Sequence, residues 1–238
     1  MNRLREKLIE QYASHYNRVN ADIDPGSLPP RAYQMMELTF GPALKNVPPG
    51  GRVVDVGCGT GFLLYWLTRR GGVKPVGVDA SPSQIEVLRK HLPSAEVYCA
   101  DGLSFMKEHP GEFHALFCTD VLEHIPEDAL LEWVETARAA LAPGGVFVCR
   151  VPNASNLTGS QARYIDLTHE RCFTVQSLEQ LLTAGGFSRS TVLPIRTGHF
   201  TGRVRSAMER VLHKVVYAVC GASTNGVFST NLVASAEA

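Results

Sequence analysis

The chain has 238 residues, 45% apolar and 19% charged, with 21 glycines and 14 prolines, which fits one large α/β unit with an ordinary soluble composition better than two domains. Lysine plus arginine equals aspartate plus glutamate at 23 each, which excludes a global electrostatic attraction for nucleic acid. The opening MNRLREKLIEQY is charged throughout, unlike a signal peptide, and no apolar run approaches the ~18 residues of a spanning helix. In chain order, Leu4, Leu8, Ile9, Tyr12, Tyr16 and Val19 fall at helical spacing over 4–19. A Pro/Gly-rich joint, Asp24 to Pro30, leads to a second helix over about 31–46. These two helices form an N-terminal helical cap, residues 1–48, ahead of a single unit over 49–238; they would close a cleft or cover a sheet edge.

Strand and helix signals then alternate. Strands are expected at Val53–Val56, Pro75–Val78, Glu96–Cys99, Ala115–Thr119 and Val146–Val151, with helices at 61–70, 82–91, 102–108 and 127–141 between them. Ser81-Pro82 is an N-cap followed by proline at the first helical position, and Pro143-Gly144-Gly145 closes the helix before strand five. A helix over 177–184 ending at Gly185-Gly186, a strand over about 188–194, a helix over 202–220 and a last strand over 227–235 complete the chain. This order predicts a parallel sheet with helices on both faces. The six cysteines, 58, 99, 118, 149, 172 and 220, include no CxxC pair, and four sit in or beside strand-like runs. Buried free thiols in a reducing, cytoplasmic setting are expected.

The sharpest local signal is Val53-Val-Asp-Val-Gly-Cys-Gly-Thr-Gly61, a strand running through three glycines into a helix. Glycine permits the tight turn and lets backbone N–H groups approach a ligand. The dinucleotide pattern G-x-G-x-x-G fails because position 62 is Phe. The G-x-G-x-G spacing, with Asp55 two residues before the first glycine, resembles motif I of the class I S-adenosylmethionine (SAM) methyltransferases. Asp79 at the end of strand two, Asp101-Gly102 past strand three and Leu141-Ala-Pro-Gly-Gly145 before strand five resemble that family's later elements in order. The resemblance implies a Rossmann-like, seven-stranded, mostly parallel sheet and SAM as cofactor. It also implies that Gly57, Gly59 and Gly61 shape the methionine side and that Asp55 orders the loop. Asp79 would hold the ribose, Asp101 and the Gly102 amide the adenine, and Thr119 would face the methyl group. Each acid has a plainer alternative as a helix cap.

Methyl transfer to a sugar-like hydroxyl requires a general base or a metal, because the hydroxyl is barely ionised at neutral pH. Thr119-Asp-Val-Leu-Glu-His-Ile-Pro126 follows strand four, beside the expected methyl group. Asp120, Glu123 and His124 form an acid-x-x-Glu-His string resembling the metal-binding string of small-RNA 2′-O-methyltransferases and of ubiquinone-pathway O-methyltransferases. His169, in Asp166-Leu-Thr-His169, is the candidate fourth ligand. Such a set suits Mg²⁺, Mn²⁺ or Zn²⁺. The competing expectations are that His124 or His169 acts as a general base, with Asp120 alongside, or that these histidines only cap and hydrogen-bond.

Residues 150–187 resemble a methyltransferase subgroup found with bacterial glycan and surface-polysaccharide biosynthesis. Asn153, Arg163, Tyr164 and Arg171 there are the candidate acceptor-binding residues, with a loop held by its own Arg–Asp pairs as the plainer reading. The leading expectation is therefore SAM-dependent O-methylation of a saccharide hydroxyl on a polysaccharide or lipid-linked glycan. The alternatives are a phenolic or quinone-like acceptor, favoured by an aromatic cleft, and RNA 2′-O-methylation, disfavoured by the neutral charge. A SAM-binding regulatory subunit and an NAD(P)-dependent oxidoreductase complete the set. The helix over 202–220 pairs an apolar stripe with Arg203, Arg205, Arg210 and Lys214. Core packing or a homodimer contact is expected of it ahead of peripheral membrane contact.

Overall fold

The computed structural model describes Lys7 and residues 28–195, 198, 200–223 and 226–238. Of the helix expected over 4–19, all but Lys7 lies outside the described residues. Seven strands form one sheet in the order β3-β2-β1-β4-β5-β7-β6: β1 Gly51–Val56, β2 Val73–Asp79, β3 Glu96–Cys99, β4 Phe113–Thr119, β5 Leu141–Pro152, β6 Arg189–Pro194 and β7 Asn231–Glu237. Strands β1 to β5 pair in parallel, while β7 runs antiparallel between β5 and β6. This is the Rossmann-like, seven-stranded, mostly parallel sheet that the methyltransferase resemblance implies, and its parallel part is what the strand–helix alternation predicts. The helices are α1 Pro30–Phe40, α2 Phe62–Arg70, α3 Pro82–His91, α4 Gly102–Glu108, α5 Glu127–Ala140, α6 Gly159–Tyr164, α7 Val175–Ala184 and α8 Phe200–Val219.

Alternation along the strands divides the core into two layers. Val54 and Val56 of β1 pack on one face with Phe105, Trp133 and Leu178 from α4, α5 and α7. Val53 points to the other face, with Trp66 of α2 and with Met36 and Phe40 of α1. The phenyl ring of Phe40 meets Phe117 of β4 edge-on, centroids 5.7 Å apart. Residues 28–44 therefore share the core of the sheet, so the expected boundary near residue 48 is not a break in packing.

The Pro-Gly-Gly turn is absorbed into β5. The β4–β5 register passes from Phe113↔Leu141 to Ala115↔Val146, so residues 142–145 bulge out of the ladder. A Cβ on Gly145 would sit 2.8 Å from the Ala142 carbonyl oxygen, which explains glycine at that position. The short helix α6 and a 3₁₀ turn over Leu122–His124 were not among the expected elements, since each is too short to show periodicity.

Candidate active site

The parallel registers bring the carboxyl ends of β1, β2 and β4 to one edge, where an open α/β sheet binds its ligands. The chain leaves β1 through Gly57, Gly59 and Gly61, at φ +78°, +53° and +93°. All three need the left-handed region, which costs a residue with a Cβ roughly 1–2 kcal/mol. The Gly57 N–H donates to the Val78 carbonyl at 2.8 Å, and the Gly59 N–H donates to Asp79 Oδ2 at 2.9 Å. The other oxygen of Asp79 accepts the Ser81 N–H at 2.8 Å. Gly61 is the N-cap of α2. The turn thus ties β1 to β2 and leaves a cleft of about 830 Å³ above it.

This cleft gathers most of the expected cofactor residues: Asp55, Gly57, Gly59, Asp79, Asp101, Gly102 and Thr119 all line it. A Cβ on Gly59 would meet nothing within 4 Å, so the backbone there faces open space. A Cβ on Gly102 would strike Val56 Cγ1 at 2.5 Å, which brings the start of α4 hard against β1. Asp55 is buried, and its Oδ1 has no hydrogen-bond partner. Burial, reinforced by the Asp79 carboxylate, pushes the Asp55 pKa up to about 8, with Arg150 opposing. Burial also raises Asp79, against the two N–H donors that favour its charged form. Two acids held this way, one with an unpartnered buried oxygen, beside an open glycine backbone form a cradle that suits a cationic nucleoside such as SAM. Asp101 is also the N-cap of α4, accepting the Ser104 N–H at 2.9 Å. It serves the helix while facing the cleft.

Asp120 takes φ +56°, a conformation that Asp tolerates better than most residues. The β4–β5 register sets it beside Arg150, whose carbonyl accepts the Asp120 N–H at 2.9 Å and whose Nε donates to Oδ1 at 2.9 Å. The guanidinium also donates to Oδ2, making the pair bidentate. Both residues line the cleft. Asp120, expected as a metal ligand, is held instead by Arg150 and stands outside the ligand trio below.

That trio is Glu123, His124 and His169, each offering one ligand atom within 4.8 Å of the others. The 3₁₀ turn supplies the first two, and the loop after α6 supplies His169. The two imidazole centroids are 4.6 Å apart. Thr168 Oγ1 donates to Asp166 Oδ1 at 2.7 Å, because a carboxylate only accepts. The same hydroxyl lies 2.8 Å from His124 Nδ1 and accepts its proton. His169 Nδ1 lies 2.8 Å from the Ala162 carbonyl and donates to it. His169 therefore carries the Nδ1 proton, and the Thr168–Asp166 pair favours the same tautomer in His124. Burial lowers the His124 pKa to about 4, with His169 adding to the effect, so the ring is neutral near pH 7. Glu123 is buried with Oε2 unpartnered, and burial, then Asp120, drives it well above the usual carboxylate range. A carboxylate oxygen and two oriented imidazoles form a chemically sound donor set for Zn²⁺, Mn²⁺ or Mg²⁺.

The expected acceptor residues lie elsewhere. Asn153 is fully buried, its amide donating to the Val227 and Ser229 carbonyls at 3.1 and 2.8 Å and its Oδ1 accepting the Ser155 N–H. Arg171 donates to the Ile125 carbonyl at 2.5 Å and so clamps the turn after His124. Arg163 stacks on Tyr164 at 5.1 Å, on the surface of α6. None of the four lines the cleft. Apolar groups line it instead: Met36 and Phe40 from α1, Phe62 and Leu63 from α2, with Ile125 and Trp133. Sequence reasoning missed Thr168 and Arg150. The Asp166-x-Thr168 spacing is a turn signal that could have flagged the first, but pairing across β4 and β5 left no local trace of the second.

A family model described as a methyltransferase domain matches residues 31–190. The ubiquinone biosynthesis O-methyltransferase of Xanthomonas campestris pv. campestris (strain B100) is 30% identical over 165 residues, covering 66% of this chain and 67% of that protein. The protein of the same name from Psychrobacter arcticus is 27% identical over 173 residues, covering 65% of each. The match thus spans about two thirds of either relative. Among solved structures, a SAM-dependent methyltransferase from Archaeoglobus fulgidus superposes with a TM-score of 0.68 at 18% identity, over 95% of this chain and 99% of that one. Phosphoethanolamine N-methyltransferase 2 of Haemonchus contortus, in complex with S-adenosyl-L-methionine, gives 0.65 at 16% identity, over 100% of this chain and 60% of that one. Those two likenesses bear on the fold alone. The glycan-biosynthesis subgroup suggested by residues 150–187 finds no support in these relatives. The matched domain, the glycine turn and the acids around the cleft lead to one conclusion: the chain belongs to the class I SAM-dependent methyltransferases.

Proposed function

We propose that the chain methylates a hydroxyl of a phenolic or quinone-like small molecule bound in the cleft beside His124. The observation that carries this reading is the lining of the cleft. Aromatic and aliphatic side chains, Phe40, Phe62 and Trp133 among them, share the lining of the bay with polar groups such as Asp120, Arg150 and Thr168, while Asn153, Arg163, Tyr164 and Arg171 stand away from it. A flat ring is desolvated favourably on such walls, and none of the four residues expected to grip a saccharide lines the cleft. The relatives named for ubiquinone biosynthesis support the same acceptor class, in preference to the saccharide expected from residues 150–187.

When bound, SAM supplies a methyl group on a positively charged sulfur that leaves as a neutral thioether. The chain has to position the acceptor and remove its proton. His124 takes that proton at Nε2, since Thr168 and Asp166 fix the opposite nitrogen as the donor. Asp166, acting through Thr168, partly offsets the burial that disfavours the imidazolium so formed. A phenolic hydroxyl, with a pKa near ~10, asks less of this base than an aliphatic one. Arg150 holds Asp120 in place and keeps positive charge beside the two acids.

The test is labelled-methyl transfer from SAM to a panel of catechols and, in parallel, to free sugars and glycosides. Catechols should be methylated, and His124→Ala should lose about 10²–10⁴-fold in turnover with binding of S-adenosylhomocysteine retained. Methylation of the sugars in preference to the catechols would overturn the acceptor class. A second reading is favoured by the convergence of Glu123, His124 and His169 and by the unpartnered Glu123 oxygen. These three would hold a divalent ion, which would supply Lewis acidity to lower the hydroxyl pKa. Calorimetric titration of Zn²⁺, Mn²⁺ and Mg²⁺ in the presence of S-adenosylhomocysteine separates the two. Binding abolished by His169→Ala supports the metal, and no binding to the wild type leaves His124 as the base.

A further inference from the structure

The helix α8 is built inside out. At 100° per residue, Phe200, Val204, Met208, Val211, Val215 and Val219 fall on one stripe, and they are between 42% and 81% exposed. The side that meets the protein is polar instead. His213 is buried there, its Nε2 accepting the Leu157 N–H at 2.9 Å and its Nδ1 donating to the Glu209 carbonyl at 2.7 Å, with its ring stacked on Phe228. Tyr217 donates to the Ser155 carbonyl at 2.8 Å. A polar helix face fixed by specific hydrogen bonds turns the apolar face outward. An apolar stripe ~30 Å long is more than a soluble surface ordinarily leaves uncovered.

Charge identifies what covers it. On the wheel Lys214, with Arg203 next to it, borders one edge of the stripe and Arg205 the other, all exposed, while Arg210 lies as far from the stripe as Glu209 and lines the same groove. The one acid of the helix, Glu209, falls on the inner side, roughly opposite the stripe. A second copy of the same face would bring cations against cations. An anionic lipid surface meets both features, accepting the stripe among its acyl chains and the cations among its headgroups. No helix among the described residues is long and apolar enough to cross a membrane, so the contact is one of lying on the surface. We infer that α8 is a membrane-surface helix that docks the enzyme on anionic lipid.

The hydrogen bonds from His213 and Tyr217 hold the segment 155–157 against α8. The same loop continues through the exposed Tyr164, Ile165 and Leu167 to Thr168 and His169. Docking through α8 therefore keeps the chain that carries the candidate catalytic groups close to the lipid. The inference stands apart from the acceptor, because binding to vesicles requires neither SAM nor a substrate.

The experiment is co-sedimentation of the full chain with vesicles of phosphatidylcholine alone and of phosphatidylcholine with about one third phosphatidylglycerol, at low and high salt. The wild type should sediment with the anionic vesicles, weaken at least tenfold at high salt, and stay in solution with the neutral ones. Val211→Glu and, separately, Arg205→Glu with Lys214→Glu should each reduce vesicle affinity at least tenfold. Both change exposed side chains, so helix content and S-adenosylhomocysteine binding should match the wild type. Wild-type protein that remains in solution with anionic vesicles overturns the proposal. Self-association in sedimentation velocity that Val211→Glu abolishes, without vesicle binding, also overturns it and assigns the face to a second copy. Binding to neutral vesicles as tight as to anionic ones would overturn the role given to the cations.

Discussion

Replacing Gly57 by alanine should strike the cofactor cradle and the catalytic turn together. Gly57 sits at φ +78°, and a Cβ there would lie 2.4 Å from Val121 Cγ2. Carbon atoms pack best at ~3.5–4.0 Å, so the new methyl intrudes by more than ~1 Å. The left-handed backbone costs alanine roughly 1–2 kcal/mol, and an overpacked contact of this kind roughly 1–3 kcal/mol. Together they give about 2–5 kcal/mol, or a loss of about 30-fold to several thousand-fold where all of it falls on ligand affinity. Val121 directly precedes the 3₁₀ turn of Glu123 and His124, so its displacement should also slow methyl transfer. Calorimetry with S-adenosylhomocysteine, paired with thermal unfolding, measures the total. The double variant Gly57→Ala/Val121→Ala should recover the steric part and leave the backbone part, about 5–30-fold. Wild-type affinity and Tm in Gly57→Ala, or no recovery in the double variant, would refute the reasoning.

Four further outcomes are expected. Thr168→Val removes the hydroxyl that links His124 Nδ1 to Asp166 and should lower turnover about 10–100-fold with S-adenosylhomocysteine affinity unchanged. Added to His124→Ala it should cost nothing more, and an additive loss would show that Thr168 acts through some other group. Asp79→Ala deletes the acceptor of the Gly59 and Ser81 N–H groups and should weaken S-adenosylhomocysteine binding by about 1.5–3 kcal/mol, read by calorimetry. Asp55 has its pKa raised to about 8, so between the usual carboxylate value and 8 the folded state holds a proton that the unfolded chain has lost. Stability should then fall as pH rises through that window and level off above 8, with Asp79 and Glu123 acting in the same direction. Urea unfolding at several pH values should show a shallower fall for Asp55→Asn, and identical slopes would contradict the assignment. Asn153→Ala leaves the Val227 and Ser229 carbonyls and the Ser155 N–H without their side-chain partner and should cost about 1–3 kcal/mol of stability while leaving acceptor KM unchanged.

The order of strands and helices, the glycine turn and the acids at the strand ends could be read locally. Each rests on a local physical requirement: alternation for a strand, positive φ for Gly57, Gly59 and Gly61, a short side chain at a cap. The apolar part of the cleft was harder to see, because Phe40 and Trp133 lie far apart in the chain and reach the same cleft from opposite core layers only through packing. Arg163, Tyr164 and Arg171 look like acceptor ligands in a polar loop, yet the fold places them outside the cleft and turns Arg171 onto a backbone carbonyl.

By itself the sequence determined the sheet-and-helix architecture, the SAM-type turn and the concentration of acids and histidines after β4, because those depend on neighbours within a few residues. Tertiary structure alone decided which of those groups act together. The β4–β5 register set Arg150 against Asp120 and withdrew it from the ligand trio. The loop after α6 brought Thr168 and His169 to His124 across more than forty residues. Hydrogen bonds from His213 and Tyr217 fixed which side of α8 faces inward. The helical stripe was visible in the sequence, but an amphipathic pattern says only that two faces differ. Which face is buried depends on where the polar partners lie, and that is a property of the folded chain.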